Sequence, residues 1–245
     1  MMGRYPDIVE EDMPVALITG GSAGLGRALA TALAGRGWDL IIDARRPERL
    51  AGVVAELRGT SKVLGLPGDV VDRRHRDALA DAVRGFGRLD LLVNNASSLG
   101  PTPLPALAQV DLDAVVATYQ VDVFGPLALT QLLLPELIAA RGTLVNISSD
   151  AAVASYPGWG SYGSAKAALD HLSATLGAEN PQLHCYAVDP GDMRTEMHQA
   201  AFPGEDISDR PEPHTVLPGL LNLLDNRPPS GRYRAADFAD APVPS

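Results

Sequence analysis

Short apolar runs alternate with segments of helical periodicity along most of the chain. The apolar runs typical of strands cover residues 15–19, 39–43, 62–66, 89–93, 142–148 and 183–189, with 231–236 as a last edge strand. The segments typical of helices cover residues 24–37, 47–57, 73–86, 111–138, 161–179 and 214–226. Nearly continuous apolar strands separated by helices are typical of parallel sheets covered on both faces. The pattern therefore predicts an α/β fold with a doubly wound parallel sheet of about seven strands.

Two features interrupt this alternation. The long helix contains Gly125, Pro126 and Pro135, and because each proline removes a helical N–H donor, we expect a kink near Gly125. After the last buried strand, residues 192–213 are polar and poor in periodicity, as expected of a functional or mobile loop with short helical pieces. The predicted organisation is a single domain with two tails, over residues 14–236, 1–13 and 237–245 respectively.

Composition and charge narrow the class of partner. Of the 245 residues 46% are apolar and 20% are charged, which is ordinary for a globular domain, and the formal net charge is −10. Binding to a nucleic-acid backbone needs a basic stripe, so we expect no nucleic-acid partner. No apolar run approaches the roughly 18 residues of a membrane span, and no apolar signal-peptide core precedes the domain. We therefore expect no membrane contact and a cytoplasmic location.

The single cysteine, Cys185, lies in the apolar run LHCYAV and reads as a small buried hydrophobe. One cysteine excludes a disulfide framework and a cysteine-based zinc cluster. The histidines form no cluster in the sequence, so no metal site is expected. His198 and His214 are candidates for ligands or acids, but the favoured interpretation of each is a solvated loop histidine.

A glycine-rich segment, TGGSAGLG at residues 19–26, joins the first strand to the first helix. Glycine lets a backbone turn tightly and approach a ligand closely, and the free N–H groups at the start of the following helix attract anions. This context predicts a pyrophosphate-binding turn. Its candidate contacts are Gly20, Ser22, Ala23, Gly24, Leu25 and Gly26.

The second strand ends in Asp43, Ala44, Arg45 and Arg46. A carboxylate at this tip would accept hydrogen bonds from a free ribose 2′-hydroxyl, whereas an arginine would pair with a 2′-phosphate. The spacing alone leaves both alternatives open.

A tyrosine and a lysine, Tyr162 and Lys166, are four residues apart in the segment YGSAK, and they therefore share a helix face. The pair alone is consistent with an exposed helix surface. It is also consistent with a tyrosine whose pKa is lowered by a neighbouring cation.

Together these motifs resemble the short-chain dehydrogenase/reductase family over nearly the whole chain. TGGSAGLG is similar to the family's T-G-x-x-x-G-x-G, GDV at 68–70 to its acidic residue after the third strand, and NNAS at 94–97 to its N-N-A-G. Ser149 precedes Tyr162 by thirteen positions, as the family's catalytic serine does, and PGDMRT at 190–195 resembles its P-G-x-x-x-T. The resemblance implies further cofactor contacts at Asp69, Val70, Asn95, Ala96, Pro190, Met193 and Thr195.

The resemblance also implies roles and a cofactor. Catalysis would fall to Ser149, Tyr162 and Lys166, with Asp122 in place of the family's asparagine. NAD-preferring members carry an aspartate where Ala44 stands. NADP-preferring members often carry an arginine where Arg45 stands, so NADP(H) is favoured, with Arg46 assisting and NAD(H) as the alternative.

The implied reaction interconverts a carbonyl and an alcohol on a small, apolar or cyclic substrate. The resemblance implies a Rossmann-like fold, a lid over 192–226 and a homodimer or homotetramer. The implied substrate contacts are Ser149, Trp159, Tyr162 and Met193, although Trp159 is equally consistent with plain packing. Two other functional classes stay open: a non-redox isomerase, dehydratase or cyclase, and a nucleotide-sensing module.

Overall fold

In the computed structural model, which describes residues 13–59 and 61–240, seven strands form one parallel sheet. The strands are β1 (Val15–Ile18), β2 (Asp39–Ala44), β3 (Val63–Pro67), β4 (Leu91–Asn94), β5 (Thr143–Ile147), β6 (His184–Asp189) and β7 (Gly231–Arg234). Their order is β3-β2-β1-β4-β5-β6-β7, and every neighbouring pair is parallel. The predicted doubly wound sheet is confirmed. Its order reverses between β1 and β4, where such sheets open a crevice at the carboxyl ends of the strands.

Helices cover both faces of this sheet. Along β1, Ala16 and Ile18 contribute to one apolar core, and Val15 and Leu17 contribute to the other, as the alternation of a strand requires. The helices are α1 (Gly24–Gly35), α2 (Pro47–Leu57), α3 (Arg73–Phe86), α4 (Leu112–Tyr119), α5 (Gly125–Ala140), α6 (Gly160–Glu179), α7 (Glu196–Ala201) and α8 (Leu217–Asn226). Leucines of α1, α2 and α8 pack on the first core, and those of α3 and α5 pack on the second.

The expected kink in the long helix is a π-helical turn. Residues Gln120–Phe124 form this turn between α4 and α5. Gly125 follows it because a side chain there would lie 3.1 Å from the Gln120 carbonyl oxygen and 3.3 Å from that of Val70. The turn points Asp122 into the interior, where it is fully buried.

The stretch Leu112–Ala140 is more apolar than we expected. Among the described residues it is the helical stretch that is long and apolar enough to cross a membrane by length and composition, with a mean hydropathy of 1.6. The expectation that no apolar run approaches the length of a membrane span was therefore wrong, because this stretch meets that criterion by length and composition. Leu129, Leu133 and Leu137 of this stretch are buried against the sheet, which gives their apolar character a role in the core.

The first residues of the predicted C-terminal tail pack against the domain. A 3₁₀ turn spans Ala235–Phe238, and the Phe238 ring packs 5.5 Å from that of Tyr233, centroid to centroid. The carbonyl of Phe238 accepts a hydrogen bond from Asn222 Nδ2 at 3.0 Å. An aromatic anchor thus orders residues that the sequence assigned to a tail. The predicted tail residues 1–12 and 241–245 lie outside the described part of the chain.

Candidate active site

The glycine-rich segment forms a tight turn after β1. Gly20 and Gly24 have φ values of +68° and +51°, in the left-handed region that favours glycine. At Gly26 a Cβ atom would lie 2.5 Å from the Gly20 carbonyl oxygen. Asn95 Nδ2 clamps the turn by donating to the Thr19 carbonyl oxygen at 2.8 Å. The turn is thus fixed in shape before the first N–H groups of α1.

The carboxylate of Asp43 is buried at the tip of β2, and both of its oxygens accept hydrogen bonds. It is 2% exposed, and its Oδ1 accepts the Gly20 N–H at 2.7 Å. Its Oδ2 accepts from His75 Nε2 at 2.9 Å. Burial raises the pKa of Asp43, and these two hydrogen bonds oppose the rise. Arg45 and Arg46 are exposed beside the glycine turn, so the arginines are the side chains of this strand tip that present positive charge at the cavity.

Arg49 lies beside Arg45 and Arg46, and together they form an arginine rim on the cavity. The sequence analysis did not predict a role for Arg49. Arg49, one helical turn after Arg46, makes a bidentate salt bridge with Glu196 at the start of α7, with Nη1 3.0 Å from Oε2. Arg46 Nη1 is 3.7 Å from the same carboxylate. Arg49 holds the pKa of Glu196 below its usual value. The three-residue spacing between Arg46 and Arg49 could have indicated that both lie on one side of α2. No feature of the sequence around Glu196 indicated its contact with Arg49.

Tyr162 and Lys166 lie on the inner face of α6. Tyr162 is 8% exposed and Lys166 is 2% exposed, so the pair is not a surface feature. Lys166 Nζ is 5.4 Å from the centre of the Tyr162 ring, and it donates to the Ile147 carbonyl oxygen at 2.9 Å. Gly163 lets this helix approach the short turn Asp150–Ala152 that follows β5, because a Cβ atom there would lie 2.7 Å from the Ala151 carbonyl oxygen.

The expected lowering of the Tyr162 pKa is wrong in this structure. Burial raises the pKa of Tyr162, and the negative charge of Asp122 raises it further. The hydroxyls of Ser149 and Ser97 oppose this rise. Burial lowers the pKa of Lys166, and Asp122 counteracts that effect. A raised pKa favours the neutral phenol of Tyr162, a proton donor, chiefly because burial disfavours the phenolate and secondly because Asp122 is negatively charged.

Asp122 sits behind this pair in the π-helical turn. Its Oδ1 accepts the Ser98 N–H at 2.9 Å, whereas its Oδ2 is buried with no hydrogen-bond partner among the described residues. Burial raises the pKa of Asp122, and the charge of Lys166 lowers it. The charges of Asp122 and Lys166 therefore act on each other. Ser97 adds a buried hydroxyl that also lacks a hydrogen bond of good geometry within the described chain.

Ser149 lies on a short turn after β5 and is engaged with its neighbour. Its Oγ donates to Asp150 Oδ1 at 3.0 Å and accepts the Ala151 N–H at 3.2 Å. Tyr156 donates its hydroxyl to Asp150 Oδ2 at 2.8 Å. Asp150 therefore organises the two hydroxyls beside the catalytic position, a role that the sequence reasoning did not assign.

Aromatic and thioether side chains form the far wall. Trp159 packs edge-on against Tyr162 with ring centroids 5.7 Å apart, and it lies 6.1 Å from Phe202. His198 is 10% exposed and its ring lies 4.9 Å from Phe202, so the expectation of a solvated loop histidine is wrong for His198. The lid buries it. His214, in contrast, is exposed.

One cavity of about 890 Å³ connects the glycine turn, the arginine rim and this aromatic wall. Two predicted residues do not line it: Gly26 packs against Gly20, and Asp122 lies behind the wall. The predicted site residues that do line it are Gly20, Ser22, Ala23, Gly24, Leu25, Arg45, Arg46, Asp69, Val70, Asn95, Ala96, Ser149, Trp159, Tyr162, Lys166, Pro190, Met193 and Thr195.

Comparison with known proteins identifies the family. The model of the short chain dehydrogenase family matches residues 14–206. The chain belongs to that family. The serine 3-dehydrogenase of Agrobacterium fabrum (strain C58 / ATCC 33970) is 38% identical to this dehydrogenase over 185 residues, covering 74% of this chain and 72% of that enzyme.

Solved structures agree. A short chain dehydrogenase from Pseudomonas syringae superimposes with a TM-score of 0.86 at 28% identity, covering 95% of this chain and 98% of that one. A second, from Shigella flexneri and complexed with NADP, gives a TM-score of 0.83 at 28% identity, covering 91% and 97% of the two chains. The family membership and fold support an NAD(P)-dependent oxidoreductase.

Proposed function

We propose that this dehydrogenase uses NADP(H) to interconvert a carbonyl and an alcohol on a small, apolar or cyclic substrate, with Tyr162 as general acid and base. One observation carries the proposal: Ser149, Tyr162 and Lys166 line the same cavity as the glycine turn and the arginine rim. A proton donor, its neighbouring cation and a phosphate-binding turn thus face one space. A nucleotide sensor would need no proton donor.

The residues present fit a dinucleotide phosphate. The glycine turn is packed so closely that a side chain at Gly20 would lie 2.9 Å from Asn95 Nδ2, which leaves its backbone as the ligand-facing surface. Arg45 and Arg46 offer the cationic partners that a 2′-phosphate prefers, and Asp43 is engaged elsewhere. NAD(H) is the alternative cofactor. When bound, the nicotinamide would donate or accept a hydride at the substrate carbon.

Proton handling follows from the charges around Tyr162. As a neutral phenol, it can donate its proton to a substrate oxygen as negative charge builds there. Lys166 would stabilise the resulting phenolate, and the Ser149 hydroxyl would orient the substrate oxygen after leaving Asp150. Asp122, behind Lys166, would take the place of the family's asparagine in supplying protons to that lysine.

The substrate class follows from the aromatic wall. Trp159, Phe202, Met193 and Met197 offer apolar surface next to Tyr162. Such a wall favours flat or cyclic apolar groups, since aromatic faces stack on them. The edge contact of Trp159 with Tyr162 also means that Trp159 fixes the orientation of the phenol ring.

Assembly stays a prediction. We propose a homodimer or homotetramer, because Leu112, Val116 and Phe124 of the long helical stretch expose 77%, 53% and 48% of their surface. Apolar side chains exposed along one stretch are typical of an interface. Size-exclusion chromatography with light scattering would measure the mass of the assembly. A monomer at micromolar concentration would contradict the proposed dimer or tetramer.

The activity is tested with purified protein, NADPH or NADH, and a panel of aromatic and cyclic ketones and aldehydes. We expect loss of reduced-nicotinamide absorbance with at least one of these compounds, faster with NADPH. If the absorbance is unchanged while a panel compound is isomerised or dehydrated, the non-redox alternative replaces this proposal. Binding of NADPH without any turnover would favour the sensing module.

A further inference from the structure

A buried histidine and carboxylate lie together under the tip of the sheet. His75, in the first turn of α3, has a side-chain exposure of 7%, and Asp43, at the end of β2, has one of 2%. Their contact, His75 Nε2 to Asp43 Oδ2, measures 2.9 Å. The reaction assigned above uses neither side chain.

The pair joins the glycine turn to the two neighbouring strands. Asp43 holds the turn twice, through Oδ1 on the Gly20 N–H at 2.7 Å and through its carbonyl oxygen on the Gly21 N–H at 2.8 Å. His75 lies directly over Gly68, at the end of β3, where a Cβ atom would be 2.1 Å from His75 Nδ1. Gly68 is thus the residue that makes room for the imidazole.

Burying the Asp43 carboxylate under the glycine turn is electrostatically unfavourable. Buried charges are unfavourable unless they are paired, and this one lies at the base of a turn suited to an anionic pyrophosphate. His75 supplies the pairing, and both carboxylate oxygens accept hydrogen bonds. A carboxylate held from both sides cannot rotate away from Gly20, so the turn keeps its shape without a ligand.

We propose that Asp43 and His75 form a positioning pair for cofactor binding: His75 fixes the Asp43 carboxylate, which fixes Gly20 and preorganises the glycine turn for a dinucleotide pyrophosphate. The inference rests on the dinucleotide binding in the proposed function. Both NADPH and NADH carry the pyrophosphate, so the pair acts on both cofactors. It does not touch the group that transfers the proton.

The test replaces the imidazole in three ways. His75→Leu removes the donor and retains an apolar side chain of similar bulk. His75→Gln keeps an N–H donor at a similar reach. Gly68→Ala leaves His75 in the sequence but adds a methyl group where the ring lies. The control is Gly85→Ala, in α3 with His75. It adds a methyl group at a position where no other group lies within 4 Å.

The readouts are the Kd of NADPH and of NADH by fluorescence titration, steady-state KM and kcat, and the thermal midpoint of each variant. We expect His75→Leu and Gly68→Ala to raise both Kd values about tenfold, because a loosened turn must be ordered on binding. We expect His75→Gln to stay within about threefold of wild type because it restores the donor. At saturating cofactor, we expect the kcat of every variant to stay within about twofold of wild type. A loosened glycine turn weakens cofactor binding and therefore raises the KM for the cofactor.

The outcomes separate this inference from the proposed function. Unchanged Kd values in folded His75→Leu and Gly68→Ala overturn the positioning role and leave the proposed function intact. A lower thermal midpoint with unchanged affinity of the folded fraction shows a purely structural pair and likewise overturns it. Wild-type protein that binds neither NADPH nor NADH overturns both proposals together. If His75→Leu does not fold, the comparison of Gly68→Ala with His75→Gln and Gly85→Ala decides.

Discussion

The carboxylate of Asp122 and the ammonium of Lys166 are both buried, and each charge stabilises the other. The charge of Lys166 lowers the pKa of Asp122, and the charge of Asp122 raises the pKa of Lys166 against the effect of burial. The same carboxylate raises the pKa of Tyr162. In a family that places an asparagine at this position, the aspartate sets the charge that the catalytic tyrosine experiences.

Replacing this carboxylate by an amide should move the pH dependence of the reaction. Asp122→Asn removes a negative charge that disfavours the phenolate, so the pKa of Tyr162 falls. Alcohol oxidation, which needs the phenolate, then begins at lower pH. We expect the acidic limb of the kcat/KM profile for oxidation, where activity rises with pH, to move to lower pH by about one unit, a shift that belongs to the coupled Asp122, Tyr162 and Lys166 group.

The matched control is Asp39→Asn, which removes a carboxylate at the far end of β2, where it accepts a hydrogen bond from the exposed Lys62 N–H. It should leave the profile in place. A profile that moves upward in Asp122→Asn would contradict the assigned sign, and an unmoved profile would show that the charge does not reach Tyr162.

Removing the phenolic hydroxyl should stop turnover and spare cofactor binding. Tyr162→Phe keeps the ring that packs on Trp159 and removes the proton that the substrate oxygen receives. Loss of a general acid costs about 10²–10⁴-fold in kcat. The measurement pairs steady-state turnover with NADPH titration, and the Kd should change by less than about tenfold because the hydroxyl contributes at most about one hydrogen bond. Tyr119→Phe makes the same change away from the cavity. Wild-type turnover in Tyr162→Phe would refute the mechanism.

The sheet and the cavity residues of the candidate site could be predicted because both depend on local patterns. Apolar runs mark the strands, and the glycine turn and the Tyr162–Lys166 spacing each occupy one short segment. At the tip of β2 the sequence left open whether Asp43 or an arginine faces the ligand, because the alternation of a strand fixes only the relative directions of its side chains. The helix kink likewise follows from Gly125 and Pro126.

The remaining features depend on contacts between distant segments. His75 meets Asp43 across 32 positions, and Arg49 meets Glu196 across 147. The local sequence around each of these residues does not indicate which distant residue it contacts. The raised pKa of Tyr162 was missed for the same reason, because the effects of burial and of Asp122 appear only after packing. His198 was misjudged because the lid folds its ring onto Phe202.

Cofactor preference should depend on the strand tip. Arg45→Ala removes a guanidinium suited to a 2′-phosphate, and NADH lacks that phosphate. We expect the KM for NADPH to rise about tenfold or more with little change in the KM for NADH, because charge-assisted pairs of this kind contribute roughly 1.5–3 kcal/mol. Steady-state kinetics with both cofactors measure the ratio.

Arg58→Ala, an exposed arginine at the end of α2, controls for loss of one positive charge. The preference for NADPH should also weaken as salt is added, and this salt dependence should diminish in Arg45→Ala. An equal effect on both cofactors would place Arg45 away from the 2′-phosphate and leave NAD(H) as the alternative.

The salt bridge between Arg49 and Glu196 should hold the lid more than it holds the fold. Both side chains are partly exposed, so Glu196→Gln should change the free energy of unfolding by less than about 1 kcal/mol. The same change frees the start of α7, whose preceding residue, Thr195, lines the cofactor cavity. We therefore expect KM for cofactor and substrate to rise about threefold or more while the thermal midpoint barely moves.

Glu56→Gln breaks a comparable exposed pair, with Arg27, on the outer side of the same helix layer and away from the lid. It should match Glu196→Gln in unfolding free energy and leave both KM values unchanged. Arg49→Met should repeat the Glu196→Gln result, and the double variant should add little to either, because the two changes remove one interaction. Additive effects of the two substitutions on KM would show that Arg49 contacts the cofactor independently of Glu196, and the lid assignment would then be wrong.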